Sequence, residues 1–154
     1  MNGTDNRPAS AGFFMPAEQA VAEARSYKGV PWRHRGRSRR GIDCIGLVVL
    51  ALAAGGFMMR DRTNYGREPW RDGLQREMRE HFGEPVSDWQ PGDVALMRWD
   101  NTPEPSHVAL IGAHPLGGLS LIHSYSHATG GVCENGIDAV WQKRIVEVYR
   151  PWQR

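Results

Sequence analysis

Cysteine is scarce in this sequence, with two residues, Cys44 and Cys133, among 154. A small secreted domain that depends on disulfides carries more cysteines in a shorter chain, so that class of protein is excluded. One bridge between the two cysteines stays open at this point. The surroundings of Cys44 favour the other interpretation, two thiols of which one is reactive.

Long apolar runs and a secretory signal are also lacking. The longest apolar stretch, residues 45–59, is interrupted by Gly55 and Gly56 and is shorter than the roughly 20 residues that span a bilayer. The first residues, MNGTDNRPASAGFFM, contain no basic region followed by an apolar one. We therefore predict no membrane span, and synthesis in the cytoplasm without a signal peptide.

An excess of one charge sign is missing as well. Lysine and arginine number 19 against 17 acidic residues, which gives a net charge of +2 and no argument for a nucleic-acid partner. Basic residues are concentrated in one loop, residues 33–40. Three interpretations of this loop stay open: a solvated charged segment, recognition of carboxylates or of an anionic surface, and nucleic-acid binding.

The order of the predicted elements indicates an α+β fold. Residues 1–13 have the composition of a flexible tail, and residues 14–154 are long enough for one domain. Helical patterns begin at Pro16, at Cys44 and near residue 71, and the helix of residues 44–54 is apolar on every side, as a central helix would be. Strands are predicted at the end of the chain, at residues 94–99, 108–111, 119–123 and 145–149. Helices followed by strands favour helices packed on an antiparallel sheet.

Cys44 lies where the basic loop meets the apolar helix. The N–H groups and dipole of a helix N-terminus stabilise an anion, so this position is expected to lower the pKa of the thiol. Arg37, Arg39 and Arg40 are expected to act in the same direction. The same N–H groups could receive the oxyanion that forms when a thiolate attacks an amide. The alternative is a small buried residue at the start of a core helix.

Two histidines at strand ends could serve a thiol nucleophile, which needs a base and a group that orients the base. His107 begins one predicted strand and His123 ends the next. If these strands are antiparallel neighbours, His107 can take the thiol proton while His123 holds its other ring nitrogen. The alternative is a pair of ordinary, partly buried histidines.

Other histidines and cysteines receive no catalytic role. His123 and His127, together with Cys44, Cys133 or His107, could form a zinc site, but their spacing suits a helix and this segment is a strand end followed by glycines. We therefore assign no metal. Cys133 is interpreted as a bystander, and three histidines are interpreted as surface residues: His34, His81 and His114.

Four segments resemble the motifs of one enzyme family. Residues 29–48, GVPWRHRGRSRRGIDCIGLV, are similar to the nucleophile signature of NlpC/P60 peptidases, a Gly-x-Pro-aromatic stretch followed by a glycine-bearing loop and Asp-Cys-x-Gly-Leu. GDVALMRW, HVALIG and LIHS resemble the family's Gly-Asp, His-Val and Ile-His strands, in the family's order. The ending VCENGIDAVWQKRIVEVYRPW resembles the short members encoded with tail genes of bacteriophages and gene transfer agents.

This resemblance implies a papain-like α+β domain that hydrolyses stem peptides of bacterial peptidoglycan without a cofactor, usually between D-glutamate and diaminopimelate. It implies Cys44 as nucleophile, His107 as general base and His123 as the orienting residue. Asp43 and Trp32 fall at positions where the family contacts substrate. Ile45 departs from the family's usual serine, which changes the substrate wall and leaves the chemistry intact.

The expected partners are the stem peptide and phage tail proteins, and the protein would reach the cell wall as part of a tail or tail-like particle. Two other functions stay open. One is a tail-tip assembly protein with a vestigial site, and the other is an amidase or acyltransferase on the same scaffold.

Overall fold

The computed structural model describes residues 15–66, 73–126 and 130–152. Within these ranges the helices are α1 (Pro16–Ser26), α2 (Cys44–Ala54), α3 (Leu74–Phe82) and α4 (Ala139–Arg144). The strands are β1 (Arg37–Ser38), β2 (Gly41–Ile42), β3 (Val94–Met97), β4 (His107–Ala113), β5 (Leu119–Tyr125), β6 (Gly131–Gly136) and β7 (Ile145–Tyr149). The predicted tail, residues 1–13, and the predicted start of α3 at residue 71 lie outside the described residues.

An antiparallel sheet is the centre of the fold. Among the described residues its strands follow the order β6-β5-β4-β3-β7, so consecutive strands are neighbours except for β7, which returns to pair with β3. Met97 pairs with His107 across β3 and β4, and Leu110 pairs with Ile122 across β4 and β5. The predicted α+β class, with helices on an antiparallel sheet, is confirmed.

Helix α2 is the core helix that the sequence predicts. It begins directly after Asp43, whose side chain accepts a hydrogen bond from the Gly46 N–H group, the usual arrangement of an N-cap. Leu47 and Leu52 are completely buried against the sheet and α1. Gly55 forms the C-cap, so the predicted end of the helix is also confirmed.

Both faces of the sheet are covered. One face packs against α1, α2 and α3. The other carries a smaller apolar cluster that includes Met97, Ile111 and Leu121, with Trp89 and Trp141 packed against it. Trp141 belongs to α4, a short helix that the sequence pattern did not predict, as it did not predict the β1–β2 hairpin inside the basic loop.

No helix in the described part of the chain is long and apolar enough to cross a membrane.

Candidate active site

Cys44 is the first residue of α2 and lines a cleft of about 290 Å3. Its side chain is buried apart from a small exposed fraction of 9%. The backbone N–H groups of Val108 and Ile45 point to its sulfur atom. The thiol therefore lies beside the first residues of β4, where His107 also lines the cleft.

A network centred on Asp43 fixes the start of α2. Among the described residues, four donors reach its carboxylate: the N–H groups of Gly46 and Arg35 at 2.8 Å, the guanidinium of Arg37 at 3.1 Å, and the hydroxyl of Tyr65 at 2.5 Å. A carboxylate offers about four acceptor positions. The predicted contact between Asp43 and an amine of the substrate would therefore compete with donors that the protein supplies.

Ser124 joins the nucleophile segment to the strand that carries His123. Its buried hydroxyl donates to the backbone oxygen of Ile42 at 2.7 Å, two residues before Cys44. Because Ser124 follows His123 on β5, this bond ties the segment before α2 to the strand that carries His123. The LIHS motif thus carries a positioning residue next to the predicted catalytic one.

The two predicted histidines meet on one face of the sheet. The ring nitrogens His107 Nε2 and His123 Nδ1 are 2.7 Å apart, and His123 Nε2 lies 2.7 Å from Asn135 Oδ1 on β6. The predicted antiparallel pairing of their strands is confirmed.

These contacts determine which nitrogen carries each proton. Since the amide oxygen of Asn135 only accepts, His123 donates from Nε2 and accepts at Nδ1 from the Nε2–H group of His107. In this tautomer the unprotonated nitrogen of His107 is Nδ1. That is the nitrogen a base requires, because the other one is held by His123.

His123 is buried and uncharged. Burial lowers its pKa to about 4, and the hydrogen bond to Asn135 opposes this change only in part. The ring of Trp141 stands edge-on to it, with the ring centroids 5.2 Å apart. A neutral His123 keeps an acceptor at Nδ1, so the orientation of His107 persists over the pH range in which most proteins work.

The prediction of a lowered pKa for Cys44 is wrong. Burial, followed by the negative charge of Asp43, raises the pKa of the thiol to about 12, against the opposing effect of the N–H groups of Val108 and Ile45. The arginines do not reverse this. Arg37 binds Asp61 and Asp43, and Arg39 stacks on Tyr27. The raised pKa favours a protonated thiol, so a nucleophilic attack by Cys44 would need a base.

Aromatic side chains enclose His107, the predicted base. Trp99 lies 4.8 Å from the His107 ring, measured between centroids, and Tyr125 stands at 6.0 Å in an edge-on arrangement. Both line the cleft. This apolar surrounding limits the rotation of the imidazole and excludes water from its faces.

The cleft gathers most of the predicted site residues. Trp32, Asp43 and Ile45 line it together with Cys44 and His107, whereas His123 stands behind His107. His34, interpreted from sequence as a surface residue, lines the cleft too, in a ring stack with Trp32. Sequence reasoning also missed other residues in or behind the cleft: Tyr65, Trp99, Thr102, Tyr125 and Asn135.

The remaining predictions concern thiols, a metal and the basic loop. Both cysteines lie within the described residues and neither is in a disulfide. No cluster of histidine, cysteine or carboxylate side chains suited to a metal occurs among the residues described, and His127 lies outside them. In the basic loop, Arg35 donates to the Tyr65 backbone oxygen, so it anchors the loop as Arg37 and Arg39 do.

Comparison with known proteins places these residues in a family. A family model described as "NlpC/P60 family" matches residues 29–150, most of the chain. The chain belongs to the NlpC/P60 family. Members of this family are in general peptidoglycan hydrolases, and the matched residues include Cys44, His107 and His123.

Solved structures of NlpC/P60 proteins share the fold. An NlpC/P60 protein from Bacillus cereus ATCC 10987 is 20% identical over 88% of this chain and 40% of its own, with a TM-score of 0.62. NlpC1 from Trichomonas vaginalis is 18% identical over 90% of this chain and 45% of its own, with a TM-score of 0.63. The chain thus spans less than half the length of either protein.

A third solved structure is the NlpC/P60 domain of the peptidoglycan hydrolase SagA. It is 20% identical, covers 86% of this chain and 97% of its own, and has a TM-score of 0.56. No curated protein sequence matches the chain. At these identities, the NlpC/P60 structures show the fold, and the chemistry must be argued from the site itself.

Proposed function

We propose that this protein is a cysteine endopeptidase that hydrolyses a peptide bond in the stem peptides of bacterial peptidoglycan. The observation that carries the proposal is a hydrogen-bonded relay that runs from His107 through His123 to Asn135. Its first member, His107, lines the same cleft as the Cys44 thiol at the N-terminus of α2. Membership of the NlpC/P60 family supports the substrate class.

Acylation begins with a protonated thiol. Because the pKa of Cys44 is raised, its proton passes to Nδ1 of His107 as the sulfur attacks the substrate carbonyl carbon. The side chain of Asp43 accepts a hydrogen bond from the Gly46 N–H group, and its backbone oxygen accepts one from the Leu47 N–H group. The N–H groups of Cys44 and Ile45 therefore bind the oxyanion. His107 then gives its proton to the leaving amine as the carbon–nitrogen bond breaks.

Deacylation uses the same base. His107 removes a proton from a water molecule, and the resulting hydroxide attacks the thioester carbonyl. The carbon–sulfur bond breaks, the sulfur recovers the proton from His107, and the acid product leaves. His123 remains neutral throughout and holds the His107 ring, while Trp99 and Tyr125 limit its movement.

The bond we propose is the one between D-glutamate and diaminopimelate. Support comes from the match of residues 29–48 to the family's nucleophile signature, in which Trp32, Asp43 and Ile45 take the substrate-binding positions. All three line the cleft beside Cys44. Ile45 offers an apolar surface where the family commonly has a hydroxyl, so contacts with the stem peptide at this point are apolar.

The test is mass spectrometry of purified peptidoglycan after digestion with the wild type, with Cys44→Ala and with the matched thiol control Cys133→Ser. We expect new fragments from the wild type and Cys133→Ser alone, with masses that identify the bond. Products joined to an added amine would indicate acyl transfer. If the folded wild type and Cys44→Ala both release nothing, the peptidase proposal fails and an assembly role is favoured.

We also propose delivery by a phage tail or tail-like particle. The support is the likeness of the C-terminal segment to the peptidases encoded with tail genes. An antibody to this protein should detect it in purified tail particles from the producing strain, and absence from washed particles would contradict the proposal.

A further inference from the structure

Thr102 lines the cleft and carries an unusual hydroxyl. Its Oγ1 atom is buried and has no hydrogen-bond partner among the described residues. Thr102 is nevertheless one of the residues that line the cleft, together with Cys44 and His107. Buried hydroxyl groups in folded proteins almost always have a partner, so this one calls for a partner that enters the cleft.

The loop that carries Thr102 is held in place without a substrate. Its base is closed by the bond from the Ser106 N–H group to the Met97 backbone oxygen at 2.9 Å. Asp100 receives two hydrogen bonds of 2.9 Å from Arg144 of α4, and the Thr102 N–H group donates to the Trp99 backbone oxygen. The backbone of Thr102 is therefore set before a ligand binds.

The same loop forms the wall of the cleft next to the base. Trp99, three residues before Thr102, contacts the His107 ring, and Ser106 directly precedes His107. His107 must lie within hydrogen-bond reach of the leaving amine in order to protonate it. The wall formed by residues 99–106 thus faces the amine side of the scissile bond, while Trp32 and His34 line the cleft with the residues around Asp43.

We propose that Thr102 determines specificity on the amine side of the scissile bond. When substrate binds, the side chain rotates about χ1, its hydroxyl forms a hydrogen bond with the residue that is released as the amine, and this bond supplies the missing partner. The inference rests on the proposed peptidase function, since it assigns a contact in that same cleft.

The activity test compares two substrates with the same acyl part. One is a stem peptide with its complete amine side, and the other is an anilide that has no amino acid there. We expect Thr102→Val to lower the ratio of kcat/KM for peptide over anilide about tenfold, the size of one hydrogen bond. Thr102→Ser should restore the ratio. An unchanged ratio, or an equal loss on both substrates, overturns the inference.

Binding and stability separate this inference from the peptidase proposal. In the Cys44→Ala background, Thr102→Val should raise the Kd of the stem peptide about tenfold, whether or not the wild type cleaves it. An equal Kd, or no measurable binding in either background, overturns the inference.

The Tm of substrate-free Thr102→Val should equal or exceed that of the wild type, because the variant removes a buried hydroxyl without a partner. A clear fall in Tm would assign the hydroxyl a structural role instead.

Discussion

Asp43 acts on its neighbour Cys44 in two opposite ways. As the N-cap of α2 it fixes the backbone on which the sulfur atom is placed. Its negative charge also raises the pKa of the thiol, second only to burial. Under the proposed mechanism the nucleophile therefore stays protonated, which limits unwanted reactions with solutes in the absence of a substrate and makes catalysis depend on His107.

Removal of this charge should lower the pKa of Cys44. In Asp43→Asn we expect the thiol to react with iodoacetamide at lower pH than in the wild type, because burial remains but the repulsion between the two negative groups is lost. The pH dependence of alkylation, measured in a Cys133→Ser background, tests this. Asp61→Asn is the matched control, because it also removes a partner of Arg37. If the pH at the midpoint of alkylation is unchanged or higher in Asp43→Asn, the prediction is wrong.

The residues that the sequence reveals are those with a local signal. Cys44 stands out because a polar loop meets an apolar helix there, and His107 and His123 because they mark strand ends. Asn135 and Tyr65 have no such signal. Asn135 reaches His123 only through the register of β5 and β6, and Tyr65 reaches Asp43 from an irregular segment. Both follow from pairings that a single sequence does not specify.

At the scale of elements, the turn before β3 joins three parts of the fold. Asp93 is completely buried and forms two hydrogen bonds with Arg150, just after β7. Gly92 has a φ of 94°, and a Cβ atom there would lie 2.4 Å from the Cβ of Ala17 in α1. Gly92 thus lets α1 approach the sheet, and Asp93 connects the start of β3 to the end of β7.

Gly92→Ala should destabilise the protein by about 2–4 kcal/mol, from overpacking against α1 together with an unfavourable positive φ. Urea unfolding followed by fluorescence measures this free energy. Gly56→Ala is the matched control, since Gly56 has a φ of 96° and a Cβ atom added there would meet no described atom within 4 Å. It should cost only about 1 kcal/mol for backbone conformation. Equal losses in the two variants would disprove the steric part of the argument.

Long elements follow from the sequence and short ones do not. The apolar helix α2 and the strand β7 lie where the pattern predicts them, because each has enough residues for a hydrophobic period or a continuous apolar run. Helix α4 has six residues and each strand of the β1–β2 hairpin has two. Elements of this size are stabilised by contacts with the rest of the chain.

Across the whole molecule, one carboxylate joins the first helix to the far edge of the sheet. Glu134 on β6 binds Arg25 and Lys28 near the end of α1, and it accepts a hydrogen bond from Ser120 on β5. Its side chain is almost completely buried. Although burial acts in the opposite direction, the bonds from Arg25, Lys28 and Ser120 lower the pKa of Glu134 to about 2.

Stability should fall in two successive steps as the pH decreases. His123 has a pKa of about 4 in the folded protein and about 6.5 when unfolded, so the unfolded state binds more protons and stability declines from pH 6.5 to 4. The shift corresponds to about 3 kcal/mol. Glu134 has folded and unfolded pKa values of about 2 and 4.5, so its contribution is lost from pH 4.5 to 2.

Urea unfolding at a series of pH values measures both steps. His123→Gln should flatten the upper step and Glu134→Gln the lower one, while the exposed Glu80→Gln serves as the control for loss of a surface carboxylate. If the free energy of unfolding of His123→Gln falls between pH 6.5 and 4.5 as steeply as that of the wild type, other groups cause the upper step.

The fold class at this scale follows from the order of helices and strands in the sequence, and the structure confirms it. The pairing of β7 with β3 does not follow, because many strand orders satisfy the same alternation of apolar residues. The predicted flexible tail and the single-domain boundaries stay predictions.

The location of the relay along the chain also bears on how the protein folds. His107, His123 and Asn135 occupy consecutive strands, 16 positions apart for the first two and 12 for the last two, so short loop closures bring them together at small entropic cost. Cys44 precedes His107 by 63 residues and joins the strands only when α2 docks. We expect nascent chains to assemble the base before the nucleophile reaches it, which leaves the thiol without a proton acceptor until the last contacts form.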